Sequence, residues 1–125
     1  MTTVTFDTGA LIALERRRLR MWEVLRRIAE HGGAPVVPAD VVAEWWRGRT
    51  DIREHILGFV SVEPLTESLA RLAGEALADV EGATSVDAIV MASAAQRGDA
   101  VYTSDVHDLE RFRGFFPSVR VFGAT

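Results

Sequence analysis

Val4-Thr5-Phe6-Asp7-Thr8-Gly9-Ala10-Leu11 decides how the rest of this sequence is read. A short apolar run ends on a carboxylate, two small residues follow, and a helical pattern begins at once. This is a strand that turns into a helix across an acid. In an open parallel sheet, ligands gather at the carboxyl ends of the strands, so an acid at this point is either a turn residue or the first member of a site.

Working outward, strand and helix patterns alternate through all 125 residues. The expected strands cover residues 3–6, 35–38, 59–62, 100–103 and 120–122. Between them, helical spacing predicts helices from Thr8 or Gly9 to Glu15, Leu19 to Glu30, Ala39 or Asp40 to Arg47 or Gly48, and Asp51 to Leu57. Leu19, Trp22, Val24 or Leu25, and Ile28 form the expected apolar face of the second helix. Asp40 and Ser85 are the expected N-caps of their helices, and Thr66 that of a long helix containing Leu69, Leu72, Ala76, Leu77 and Val80. The helix from Val86 to Gln96 is built of small and apolar residues and should be buried on more than one side. A short helix from Val106 to Phe112 completes the set. The expectation is one α/β domain over residues 1–125, a three-layer sandwich with a short, mostly parallel central sheet of about five strands.

Composition narrows the function classes. The chain is 48% hydrophobic, enough for a full core at this length. It has no apolar run of the roughly 20 residues needed to cross a bilayer, and no secretory signal pattern, so a cytoplasmic protein is expected. There is no cysteine, hence no disulfide and no thiolate metal site. All 14 basic residues are arginine. Without lysine, Schiff-base chemistry and a P-loop are excluded. The arginines cluster at Arg16, Arg17, Arg18, Arg20, Arg26 and Arg27, and again at Arg47, Arg49 and Arg53. A pI near 5.3 argues against a general nucleic-acid coat but leaves room for a basic rim around an acidic pocket.

Four acids stand at comparable places. Asp7 follows the first strand and Asp105 follows the strand ending at Thr103, so a parallel sheet brings both to one edge. Asp87 lies in the first turn of the buried helix, and Glu44 lies within a helix beside Trp45. Taken singly, each also fits a turn, a helix start or a solvated helix face. Taken together, Asp7, Asp87 and Asp105 each follow or adjoin strongly apolar segments, so their carboxylates should lie partly inside a cleft. Crowded carboxylates repel one another, and a divalent cation with oxygen ligands, Mg²⁺ or Mn²⁺, is the usual relief. His31, His55 and His107 lack zinc-type spacing. Trp45 and Trp46 are adjacent, so one should be core and the other is free to line a groove.

The stretches Asp7-Thr8-Gly9-Ala10-Leu11, Val41-Val42-Ala43-Glu44, Val86-Asp87-Ala88-Ile89-Val90-Met91-Ala92 and Thr103-Ser104-Asp105-Val106-His107-Asp108-Leu109 resemble, in order, the four acidic motifs of PIN-domain ribonucleases. The likeness is to the VapC-type toxins of bacterial toxin–antitoxin pairs and runs over essentially the whole chain. The resemblance implies a metal-dependent endoribonuclease leaving a 5′-phosphate and a 3′-hydroxyl. It implies that Asp7, Asp87 and Asp105 hold Mg²⁺ or Mn²⁺, with Glu44 ligating the ion or positioning the attacking water. Thr103 becomes a hydroxyl orienting Asp7 or Asp105. The family often carries Ser or Thr two places after the first acid; here that place is Gly9, leaving Thr8 or Thr103 to supply such a hydroxyl. Asp108 is a fifth, peripheral acid. A cognate antitoxin and a homodimer are implied partners, RNA is the implied substrate, and Arg16, Arg17, Arg18 and Arg20 are candidate phosphate contacts.

Other readings meet specific objections. Asp7-Thr8-Gly9-Ala10 also matches retroviral-type aspartic proteases, but that fold is all-β. A receiver domain needs a lysine, and a halo-acid-type phosphatase needs an acid at position 9. The remaining alternative is a PIN-like module that binds RNA or protein without cutting; the retained acid set speaks against it.

Overall fold

The computed structural model describes residues 3–125. Its elements follow in the order β1 (Val4–Phe6), α1 (Thr8–Glu15), α2 (Leu19–Glu30), β2 (Val36–Pro38), α3 (Ala39–Trp45), α4 (Asp51–Leu57), β3 (Ser61–Glu63), α5 (Glu67–Ala78), α6 (Ser85–Arg97), β4 (Ala100–Thr103), α7 (Val106–Glu110) and β5 (Arg120–Gly123). The five strands form one parallel sheet in the order β3-β2-β1-β4-β5. The expected sandwich is therefore present, and the sheet is parallel throughout.

The strand order reverses between β1 and β4. These central strands pair in register, Val4 with Ala100 and Phe6 with Tyr102, so they end side by side. Diverging crossovers leave a crevice at such a switch point. α1 packs against α2, α3 and α4, while α6 packs across β1, β2 and β4 and is flanked by α5 and α7. Every residue of α6 from Ala88 to Ala94 is buried, as its all-round small and apolar composition requires. It ends on Gly98, whose φ of +74° is the left-handed cap that glycine adopts without strain.

Several local readings need correction. The N-cap of α6 is Thr84, not Ser85: Thr84 Oγ1 accepts the Asp87 N–H at 3.1 Å, three residues on, which is the separation a capping hydroxyl needs. α3 is entered straight from β2 through extended Pro38, so Asp40 is a first-turn acid rather than a cap. α3 also stops at Trp45, short of Arg47. On α2 the inward residues are Met21 and Leu25, with Trp22 and Ile28 half-buried against the core. Leu19 is 81% exposed, since two residues of helix place it about 200° from Met21. β3 begins at Ser61, two residues later than expected, and α7 stops at Glu110 rather than Phe112.

Candidate active site

Asp7 and Asp105 stand beyond the carboxyl ends of neighbouring strands β1 and β4, at the switch point. The Asp7 N–H donates to the Tyr102 carbonyl at 3.2 Å, extending the β1–β4 ladder to the acid itself. Asp7 Oδ1 accepts the Ala10 N–H at 3.1 Å and caps α1. The helix-start role and membership of an acid cluster thus belong to one side chain. Asp7 is 8% exposed. Burial pushes its carboxyl up to about 6, reinforced by repulsion from Asp87 and opposed by hydrogen bonds from Thr103, Ala10 and Gly9.

Thr103 is fully buried, and its hydroxyl serves two acids. Its Oγ1 accepts the Asp105 N–H at 2.9 Å, and it is hydrogen-bonded to Asp7, where it favours the ionised form.

Asp87 is half-buried on the first turn of α6. Burial raises its pKa most, followed by repulsion from Asp108, Asp105 and Glu44, while its hydrogen bond with Thr84 pulls the other way. These charges place Asp87 in the field of Asp108, Asp105 and Glu44. Asp105 differs from expectation in being exposed; it caps α7 by accepting the Asp108 N–H at 3.4 Å. Asp108 faces it, and a shared hydrogen bond and mutual repulsion raise the Asp108 pKa. Glu44 is also exposed, on the rim, and its carboxylate accepts the Thr8 hydroxyl.

Thr84, which residue typing passed over, and Gly9, which it read only as a missing hydroxyl, both shape this region. Thr84-x-x-Asp87 has the spacing of a capping box, a signal present in the sequence. Gly9 is required by contact: a β-carbon there would overlap Ser104 Oγ and lie 2.7 Å from the Ser104 backbone nitrogen.

The arginine run divides. Arg16, at the end of α1, lines hollows on both sides of that helix, one with Gly9, Ser104 and Arg18, the other with Glu15, Glu44 and Arg47. Arg17 and Arg20 are exposed and line neither. Trp45 is core, donating its indole N–H to Glu15 at 3.0 Å; Trp46 packs partly against the core beside it. His55 stacks on Trp22, and His31 closes α2, both outside the acid cluster.

Among the described residues no three His, Asp or Glu side chains are placed closely enough to enclose a metal ion as they stand. The fit to a divalent cation rests on the donor set: oxygen ligands only, around a buried acid raised to about 6 by burial and a like charge.

A parallel α/β sheet with acids gathered at its switch point defines a class of site whose crowded carboxylates suit a cation. The PIN domain family model matches residues 4–114, and the chain belongs to that family. Among solved structures, the chain is similar to DNA-bound VapBC from Salmonella typhimurium, at 15% identity over 100% of both chains with a TM-score of 0.75. It is also similar to VapBC2 from Rickettsia felis bound to a promoter DNA fragment, at 12% identity over 98% of both chains with a TM-score of 0.78. A third is FitAB bound to the IR36 DNA fragment, at 18% identity over 98% of this chain and 95% of the other, with a TM-score of 0.66. At these identities the likeness is one of fold. No curated protein matches the chain.

Proposed function

We propose that the chain is a Mg²⁺- or Mn²⁺-dependent endoribonuclease, the toxin of a toxin–antitoxin pair. The observation that carries this reading is the crowding of charge around Asp87 at the carboxyl ends of β1 and β4. Asp7 is raised to about 6 by burial and by repulsion from Asp87, and Asp87 is itself raised by burial and by repulsion from Asp108, Asp105 and Glu44. A nearby cation would relieve that repulsion and favour the ionised forms of Asp7 and Asp87.

In this reading Asp7, Asp87 and Asp105 hold the ion, directly or through water. When bound, the ion supplies Lewis acidity and a water of lowered pKa. Thr103 keeps Asp7 and Asp105 oriented from behind. Thr84 does the same for Asp87. Glu44, held on the rim by Thr8, orients the attacking water and accepts its proton. The new bond joins water oxygen to phosphorus, the phosphorus–O3′ bond breaks, and the products carry a 5′-phosphate and a 3′-hydroxyl.

Leu19, Phe59, Val62 and Leu65 are large apolar side chains left exposed, as a chain with protein partners would present. The relatives of like fold are complexes, and a cognate antitoxin and a second copy of this chain are the partners we infer.

The test is cleavage of total bacterial RNA by the purified chain, freed of any inhibitor, with Mg²⁺ or Mn²⁺, with EDTA, and with Asp87→Asn. Discrete fragments that require both the metal and Asp87 are expected. A folded chain that binds metal and RNA but leaves the RNA whole would mark a binding module instead.

A further inference from the structure

We infer that the polar hollow between α1 and the α3–α4 turn is a subsite for an RNA backbone phosphate beside the cleavage centre, gripped by Arg16 and Arg47. The inference rests on the ribonuclease reading above and specifies how its substrate is held.

The hollow measures about 460 Å³ and is lined by Ile12, Glu15, Arg16, Glu44, Trp45, Arg47 and Arg53. Its charges divide into used and unused. Glu15 accepts the Trp45 indole N–H at 3.0 Å and Arg53 Nε at 3.1 Å, and Arg53 also donates to the Gly48 carbonyl at 2.8 Å. That pair is closed and braces the wall. Arg47 donates only Nε, to the Glu44 carbonyl at 3.0 Å, so among the described residues its two terminal nitrogens have no acceptor. Arg16 makes no side-chain hydrogen bond or ion pair among them either, since Glu15 beside it is taken by Trp45 and Arg53. Arg16 and Arg47 therefore line one hollow with guanidinium donors unpaired among the described residues, and a phosphate diester takes such forks two hydrogen bonds at a time.

The backbone bears on the same place. Among the described residues Arg17 and Arg47 are the non-glycine residues with left-handed φ, at 60° and 47°. One adjoins Arg16 and the other is Arg47 itself. Such conformations cost on the order of 1 kcal/mol or more and collect at binding sites.

Residue 44 joins the hollow to the chemistry. Its carboxylate accepts from Thr8, toward Asp7, while its carbonyl holds Arg47. A strand lying against the acids brings its phosphates into a negative field; the neighbouring phosphate needs a cationic seat, and this hollow provides one. An acidic peptide offers carboxylates to the same forks, but nothing in its chemistry ties it to the acid cluster on the other side of Glu44.

The experiment measures binding of a labelled single-stranded RNA to the Asp87→Asn chain by fluorescence anisotropy across a salt series. Arg16→Ala with Arg47→Ala should weaken binding and flatten the log Kd against log salt slope by about 1.4, that is about 0.7 for each lost phosphate contact. Arg17→Ala with Arg20→Ala should leave the slope unchanged. Arg47→Lys should keep most of the slope while losing part of the affinity, since charge remains and the fork does not. Unchanged melting temperatures establish that each variant is folded. An unaltered slope in the Arg16/Arg47 variant, or an equal fall in the Arg17/Arg20 variant, overturns the inference. So does a loss confined to binding of an oligoglutamate peptide. If the Asp87→Asn chain binds no RNA at any salt, the ribonuclease reading itself fails, and that result is distinct from the others.

Discussion

Ser104 rests on the bare face of Gly9, so closely that a β-carbon at Gly9 would stand 2.7 Å from both the Cβ and the backbone nitrogen of Ser104. This contact presses the β4–α7 turn, with Thr103 and Asp105, against the start of α1, with Asp7. Gly9→Ala should therefore cost roughly 1–3 kcal/mol of stability by overpacking, and should lower activity beyond that by separating the acids. Ser104→Gly added to it should restore only part, because the backbone nitrogen remains in the way. Denaturant unfolding of the single and double variants checks this; a neutral Gly9→Ala would show that the turn yields freely.

Asp7 gives a pH dependence of definite sign. Its carboxyl is raised from 3.8 to about 6 in the folded chain, so between those values the folded state holds a proton that the unfolded state has released. This contribution to stability is complete below about pH 4 and is lost as pH rises through 6. The displacement corresponds to roughly 3 kcal/mol. In EDTA, Asp7→Asn should melt above the parent chain at pH 7.5, and the gap should close by pH 4. Mg²⁺ should shrink the gap at pH 7.5, because the ion binds the ionised parent and not the amide. A gap independent of pH would place the ionisation elsewhere.

The cap of α6 separates two adjacent hydroxyls. Thr84→Ala removes the acceptor for the Asp87 N–H and the partner of the Asp87 carboxylate, and should cost about 1 kcal/mol. Ser85→Ala should change stability by no more than a few tenths of that. Thr84→Ala should also weaken metal affinity, read by titration calorimetry, whereas Ser85→Ala should not. Equal effects would undo the assignment.

A second polar cluster lies beneath α6 and is structural. Asp99 is 1% exposed and accepts from Arg97 Nε at 2.8 Å, from the Thr5 hydroxyl at 2.9 Å and from Thr3. Arg97 also pairs with Glu63, which accepts the Ser93 hydroxyl at 2.6 Å. Arg97→Met leaves Asp99 charged and uncompensated and should cost roughly 3–5 kcal/mol. Adding Asp99→Asn should recover a substantial part, a coupling that a double-mutant cycle measures. Simple additivity would mean that the two do not act as a pair.

Much of the architecture could be read from the chain because it depends on local chemistry. β1 leads into Asp7, α6 is apolar all round, and Gly98 closes it, each by the preferences of a few consecutive residues. The order Asp7, Glu44, Asp87, Asp105 likewise stands in the sequence, and with it the family resemblance. Where two adjacent residues could both cap a helix, as with Thr84 and Ser85, the helix start must be known to within one residue. Typing alone does not supply that.

What only the tertiary structure decided are the relations between distant residues. The pairing of β1 with β4 puts Asp7 beside Thr103 and Asp105. Burial, a property of the packed molecule, raises Asp7 while leaving Asp105 and Glu44 exposed on the rim. Six arginines of similar local character separate only when the helices pack around α1: Arg53 pairs with Glu15, Arg16 and Arg47 line one hollow, Arg18 lines a second with Arg16, and Arg17 and Arg20 point outward. Charge is carried by the residue, but the field it acts in, and the partner that uses it, come from the fold.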